Sequence, residues 1–116
     1  MADDLLELRA TALKGLGQST RLGILEILRN GERCVCEIFS AIQEEQSNVS
    51  RHLAVLKSAG LVTSRKEGLN VHYRMKDPRL FQLLDGVDAV LHTHLQERRQ
   101  VTRRLAAQHG RPISGR

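Results

Sequence analysis

Leu5, Leu8, Ala12 and Leu13 recur at the spacing of one helical face, Asp3 and Asp4 put acids in the first turn, and Gly15 and Gly17 close the segment. A first helix is therefore predicted from near Asp3. Ser19 or Gln18 opens a second, whose apolar positions Leu22, Ile24, Leu25, Ile27 and Leu28 cover more than one face and mark it as central, with Asn30-Gly31 as its stop. A third, short helix is predicted from about Cys34 or Val35 to Ile42, with Val35, Ile38, Phe39 and Ile42 inward and both cysteines in its first turn. The polar stretch from Gln43 to Gln46 leads to a fourth helix, Ser47 to Ala59, with Val49, Leu53 and Leu56 on one stripe and Gly60 as its C-terminal cap.

Beyond Gly60 the period changes to two. Leu61 to Lys66 and Val71 to Met75 alternate apolar with polar residues around the turn-forming Glu67-Gly68-Leu69-Asn70, which predicts a hairpin with basic edges. Asp77-Pro78 signals the start of a long last helix, in which Leu80, Leu84, Val87, Leu91 and Leu95 recur at three- or four-residue intervals, with Leu105 further on and Gly86 as a candidate break. Residues 110–116 carry turn residues and charge without a core pattern, so a disordered tail is expected. The fold class that follows is mainly α with a small β-hairpin, a single domain over residues 1–116.

Length and charge narrow the partner. A chain of 116 residues is large enough for a core without disulfides, yet it leaves much apolar surface, so a dimer is expected, and the stripe of the last helix wants a partner helix. The formal charge of +5 favours a polyanion, and the absence of Trp, with one Tyr and two Phe, disfavours modules that stack on single-stranded bases. Double-stranded DNA is the expected partner. The N-terminus lacks a basic region and no apolar run reaches membrane-spanning length, so neither an export signal nor a membrane anchor is expected and the location read is cytoplasmic.

In that reducing compartment Cys34 and Cys36 are expected as free thiols, since a disulfide between residues two apart closes a small, strained ring. Paired thiols beside Arg33 suit a soft cation better than a hard one, which makes Cys34 and Cys36 the candidate metal ligands. Residues two apart on an intact helix point to nearly opposite sides, about 100° being turned per residue, so a shared ion would have to unwind or tilt the first turn of the third helix. The bland alternative is one buried apolar cysteine and one incidental thiol.

The candidate DNA reader is the fourth helix. Gln46, Ser47, Asn48, Ser50, Arg51 and His52 cluster at its N-terminal end, the end that a helix-turn-helix inserts into the major groove, and no acid stands between Gln46 and Ser58. Arg51 suits guanine and Asn48 adenine; Gln46, Ser47 and Ser50 suit phosphates or weak base contacts, and His52 suits either role. Arg65, Lys66, Asn70 and Arg74 on the hairpin would follow a neighbouring groove or backbone, while His72 is expected to face the core or a strand partner. Arg98, Arg99, Arg103 and Arg104 read as a solvated basic face, with non-specific attraction to DNA as the sharper reading.

Thr20-Arg21-Leu22, Cys34-Val35-Cys36-Glu37-Ile38 and the block from Ser47-Asn48-Val49-Ser50-Arg51-His52-Leu53 to Gly60-Leu61-Val62 resemble the ArsR/SmtB family of winged helix-turn-helix metal-responsive repressors. Within it, Cys-Val-Cys resembles the arsenical-resistance type. The resemblance implies a homodimer on operator DNA, paired through its first and last helices at Leu5, Leu8, Leu84, Val87, Leu91 and Leu95, with no cofactor required for binding DNA, that lets go when an inducer binds: trivalent arsenic, as arsenite or an organoarsenical, or another soft metal ion. One departure is chemical. Where the resemblance implies a third cysteine, three positions after Cys36, this chain has Phe39, so a third ligand must come from a non-cysteine group, a small thiol, water or symmetry-related sulfurs. The family's other site, on the last helix, is incomplete: His94-Leu95-Gln96-Glu97 is present, but Asp85-Gly86-Val87 and Asp88-Ala89-Val90 lack the histidine of its first half. His92 and His94 lie on different helical faces and are read, with His109, as exposed or interface residues. A cadmium-, lead- or zinc-responsive repressor and a thiol redox or persulfide sensor are the near alternatives. A ligand-free DNA-binding protein is the bland one, and a cysteine enzyme is disfavoured because no histidine stands in a motif with either thiol.

Overall fold

The structure, a computed structural model, describes residues 2–109, with side chains described for residues 4–100. Contacts divide the chain into two compact units, Met1–Pro78 and Arg79–Arg116. The first contains α1 (Ala2–Leu16), α2 (Ser19–Ile27) with a single 3-10 turn at Leu28–Asn30, β1 (Arg33–Cys34), α3 (Val35–Ala41), α4 (Gln46–Ser58), β2 (Val62–Glu67) and β3 (Asn70–Met75). The second contains one helix, α5 (Arg79–His109).

The apolar stripes of α2 and α4 meet in the core of the first unit. Ile24, Leu25, Ile38, Val49 and Leu56 are completely buried, with Leu28, Leu53 and Val62 nearly so. Each such side chain contributes about 1.5–3 kcal/mol relative to exposure. The predicted inward set of α3 is reduced to Ile38, because Val35, Phe39 and Ile42 are half-buried. Leu22 reaches the surface.

Arg21 fastens three helices. Its Nε donates to the Gly15 carbonyl at 2.6 Å, its second amino group to the Lys14 carbonyl at 3.0 Å, and the remaining nitrogen lies 3.1 Å from His52 Nδ1. The last carbonyls of α1, which have no partner inside their own helix, thereby gain a cation from α2. Gly15 belongs to α1 and does not end it: a Cβ there would meet Leu61 at 3.1 Å and Ala59 at 3.2 Å, so its role is close packing against the end of α4.

Helix α4 stops as predicted. Gly60 takes φ 77°, its N–H bonds the Lys57 carbonyl at 3.0 Å, and the Leu61 N–H reaches back to Leu56 at 2.9 Å. These two bonds form a Schellman cap. β2 and β3 then pair antiparallel from Val62↔Met75 to Glu67↔Asn70, and Gly68 at φ 64° turns the chain.

A third strand was not expected. Arg33 pairs with Tyr73 and Cys34 with His72, so the sheet has the order β1-β3-β2. Two residues are too few to show a period, which is why β1 left no pattern in the sequence. Helix α5 runs unbroken through Gly86, so the candidate break is not used. It begins one residue after Pro78. The expected tail at 110–116 and the side chains of Arg103, Arg104, Leu105 and His109 lie outside the described residues. No described helix is long and apolar enough to cross a membrane.

Candidate functional site

Of the two starts expected for α3, Cys34 and Val35, the helix uses Val35, so Cys34 stands just before the first turn and not within it. It is the N-cap of α3, in extended conformation at φ −62° and ψ 145°, while Cys36 alone lies within the helix. The 100° argument against chelation on an intact helix therefore does not apply to this pair. Cys34 Sγ accepts the Cys36 backbone N–H at 3.3 Å, and the Cys34 N–H donates to Glu37 Oε1 at 3.1 Å. Together they form a capping box in which a thiol takes the place of the usual hydroxyl. Two of the orphan donors at the start of α3 are thus satisfied.

Cys34 is buried and Cys36 exposed, and both are free. Hydrogen bonding from Cys36, from its thiol first and its backbone second, pulls the Cys34 thiol below the ordinary cysteine range. The same bond, made by the thiol of Cys36 to the Cys34 sulfur, pushes Cys36 above it. A thiol pair of this kind matches a soft, thiophilic ion. Among the described residues no three His, Cys, Asp or Glu groups already enclose a metal position.

Next to the cap, Glu32 receives a two-pronged contact from Arg65, at 2.9 and 2.7 Å, and Arg65 also reaches Glu67 at 2.9 Å. The Arg65 guanidinium holds Glu32 below the usual carboxylate range and is itself raised by the two carboxylates. The residue immediately before β1 is therefore tied across to β2.

Helices α3 and α4 form the helix-turn-helix. Burial of Val49, Leu53 and Leu56 leaves Gln46, Ser47, Ser50 and Arg51 exposed on the opposite face of α4. Arg51 donates to Asn48 Oδ1 at 2.5 Å, so the two candidate base readers hold each other. Asn48 in turn donates to Glu44, which also accepts the Thr20 hydroxyl. His52 is half-buried against Arg21 and serves the scaffold. On the hairpin, Lys66, Asn70 and Arg74 are exposed, whereas Arg65 is engaged by its two carboxylates.

Sequence reasoning missed Arg21, Glu37 and Glu44. Glu37 stands three residues after Cys34 at the capping-box spacing, but cysteine is outside the usual set of capping residues. Glu44 precedes the acid-free face by two residues, and Arg21 acts across a sequence gap that carries no local signature.

In the second unit Val87, Leu91 and Leu95 are about half exposed along α5, with Leu83 and Val90 beside them, whereas Leu84, expected with them at the subunit interface, is already buried within one chain and does not join the exposed stripe. Leu5 and Leu8 on α1 are likewise exposed. His92 lies 3.1 Å from Gln96, one turn along the helix.

The family model described as bacterial regulatory protein, arsR family, matches residues 18–64. An uncharacterised helix-turn-helix transcriptional regulator of Methanocaldococcus jannaschii, MJ1325, is 41% identical over 83 residues, which are 71% of this chain and 93% of that protein. The arsenical resistance operon repressor of Escherichia coli is 48% identical over 63 residues, 53% of this chain and about half of that repressor, 54%. Among solved structures, the homodimeric winged helix-turn-helix DNA-binding domain of Mb0332 from Mycobacterium bovis, a possible ArsR-family regulator, superposes with a TM-score of 0.74 at 35% identity, covering 83% of this chain and 89% of that one. With the helix-turn-helix of α3 and α4 and the wing of β2 and β3, these likenesses make the chain a winged helix-turn-helix transcriptional regulator that belongs to the arsR family.

Proposed function

We propose that the protein is a homodimeric repressor of the cytoplasm that sits on double-stranded operator DNA and is released when Cys34 and Cys36 bind a thiophilic metal or metalloid, trivalent arsenic first among them. The observation that carries this reading is the capping role of Cys34: its sulfur is at once the candidate ligand and the acceptor that holds the first turn of α3. A sulfur turned toward an ion is withdrawn from the Cys36 N–H. Helix α3 then loses its cap, and α3 is the helix that precedes the reader. Losing an oxygen N-cap costs about 0.5–2 kcal/mol, and sulfur is the weaker acceptor, so Cys34 stands in the lower part of that range, about 0.5–1 kcal/mol. Coupling between an inducer and DNA is typically about 1–3 kcal/mol, so the caps of two subunits supply part of the required energy.

On the DNA side, Arg51 and Asn48 are the proposed base readers, Gln46, Ser47 and Ser50 the phosphate contacts, and Lys66, Asn70 and Arg74 the wing contacts. Arg65 and His52 would have to exchange their protein partners for DNA. The exposed stripe Val87, Leu91 and Leu95, with Leu5 and Leu8, is the proposed subunit interface. The homodimeric relative from M. bovis supports that assembly.

Cys34→Ser and Cys36→Ser test the sensor. Both variants should bind operator like the parent protein and stay bound when arsenite or cadmium is added. A serine variant that releases DNA normally would remove the thiols from the sensor. A thiol redox sensor is the second reading, favoured by the lowered Cys34 thiol; it would release DNA on oxidation and ignore both metals.

A further inference from the structure

We propose that His72 supplies a third donor to the cysteine site, so that Cys34, Cys36 and His72 together take a divalent thiophilic cation such as cadmium or zinc. The proposal rests on the sensor reading of the two cysteines and adds the ligand that Phe39 denies it.

The strand β1, which the sequence did not reveal, carries the argument. Its pairing sets Cys34 directly opposite His72 on β3. Directly opposed residues of an antiparallel pair project from the same face, with Cβ atoms about 4.5–5.5 Å apart, the range over which facing side chains touch. Cys36 is already joined to Cys34 by the 3.3 Å contact from its backbone N–H. Cys34 and His72 therefore share one face of the sheet, and Cys36 follows in the first turn of α3.

Neighbouring carboxylates are committed elsewhere. Both oxygens of Glu32 accept from Arg65, and Glu37 accepts the Cys34 N–H. His72 Nε2 lies 3.7 Å from Glu67, so Nδ1 is the ring nitrogen left for an ion. Since no three donors are yet gathered around one point among the described residues, the site closes as the ion enters. Glu67 is then well placed as the outer carboxylate that orients a ligating imidazole. Two thiolates with one imidazole form a donor set proper to zinc and its heavier relatives, with a further position left for water. An organoarsenical with a single carbon substituent needs only the two sulfurs. Ligation by His72 also loads β3, so both the cap of α3 and the wing would report the ion.

The test uses the full-length protein with cadmium chloride and with phenylarsine oxide, each followed by the ultraviolet thiolate charge-transfer band and by competition with a chelator or a dithiol. His72→Ala and His72→Gln should weaken cadmium by at least about tenfold, the least that losing even an outer-shell partner costs, and leave phenylarsine oxide unchanged. Zinc-edge X-ray absorption should show sulfur at about 2.3 Å and nitrogen at about 2.0 Å, the nitrogen shell vanishing in His72→Gln. Cadmium affinity equal to the parent protein in both folded variants, or a coordination shell without nitrogen, overturns the proposal. Should Cys34→Ser and Cys36→Ser also bind cadmium like the parent, the cysteine reading itself falls; should only the histidine variants do so, the cysteine reading stands without His72.

Discussion

Cys34→Ala and Cys34→Ser separate the two jobs that this account gives one sulfur. Serine is among the best N-cap residues and restores the acceptor for the Cys36 N–H, whereas alanine has none. The alanine variant should therefore resemble the induced state in the absence of any ion. Losing an oxygen cap costs about 0.5–2 kcal/mol, and the weaker sulfur acceptor stands in the lower part of that range, about 0.5–1 kcal/mol in each subunit. Every 1.4 kcal/mol is about a factor of ten, so full transmission to the reader weakens the operator complex about 2- to 5-fold per subunit. Glu37→Ala offers a second route to the same end, since it removes the carboxylate that accepts the Cys34 N–H and spares both thiols. The assay is fluorescence anisotropy on a labelled operator duplex at one fixed salt concentration, because phosphate contacts make affinity steeply salt-dependent. Cys34→Ala and Glu37→Ala should bind more weakly than the parent, Cys34→Ser should bind like it, and Glu37→Ala should still take up cadmium. Equal operator affinity for the alanine and serine variants of Cys34 would refute the cap as the transmitter.

Arg51→Ala should lose about 1–3 kcal/mol of operator binding with its melting temperature kept, checked by the same anisotropy assay and by thermal unfolding. Arg21→Ala should do the reverse, lowering stability by about 2 kcal/mol or more in urea unfolding, because the terminal carbonyls of α1 lose a charged donor. Leu91→Asp, placed on the exposed stripe of α5, should raise the dimer dissociation constant well over about tenfold in sedimentation equilibrium, since burying a leucine contributes about 1.5–3 kcal/mol on each side.

The helices and the hairpin were legible because each carries a long apolar period and an ordinary stop signal. Gly60 shows this well: a glycine just past the stripe of Val49, Leu53 and Leu56 needs a positive φ, and it has one. The turn at Glu67 to Asn70 was legible for the same reason, Gly68 being the residue that turns. What escaped was short or non-local. β1 is two residues long and exists only through its pairing with β3. Cys34 was placed inside α3 because a cysteine in the capping position breaks the usual rule of hydroxyl and amide caps. That one-residue difference changes the proposed mechanism from forced unwinding of a helix to withdrawal of its cap. The proposed readers Arg51 and Asn48 are identifiable singly, but their bond to each other and the chain through Glu44 to Thr20 join α4 to α2 across more than twenty positions.

The most direct measurement follows ion uptake and DNA release in one cuvette. The operator-bound protein is titrated with arsenite, phenylarsine oxide or cadmium while thiolate charge-transfer absorbance and the anisotropy of the labelled duplex are recorded together. Absorbance rising in step with falling anisotropy in the parent, and neither changing in the Cys34→Ser/Cys36→Ser double variant, is the predicted result. An unchanged complex in the parent at full occupancy of the thiols, or release in the double variant, would contradict the claim that these two sulfurs govern the grip on DNA.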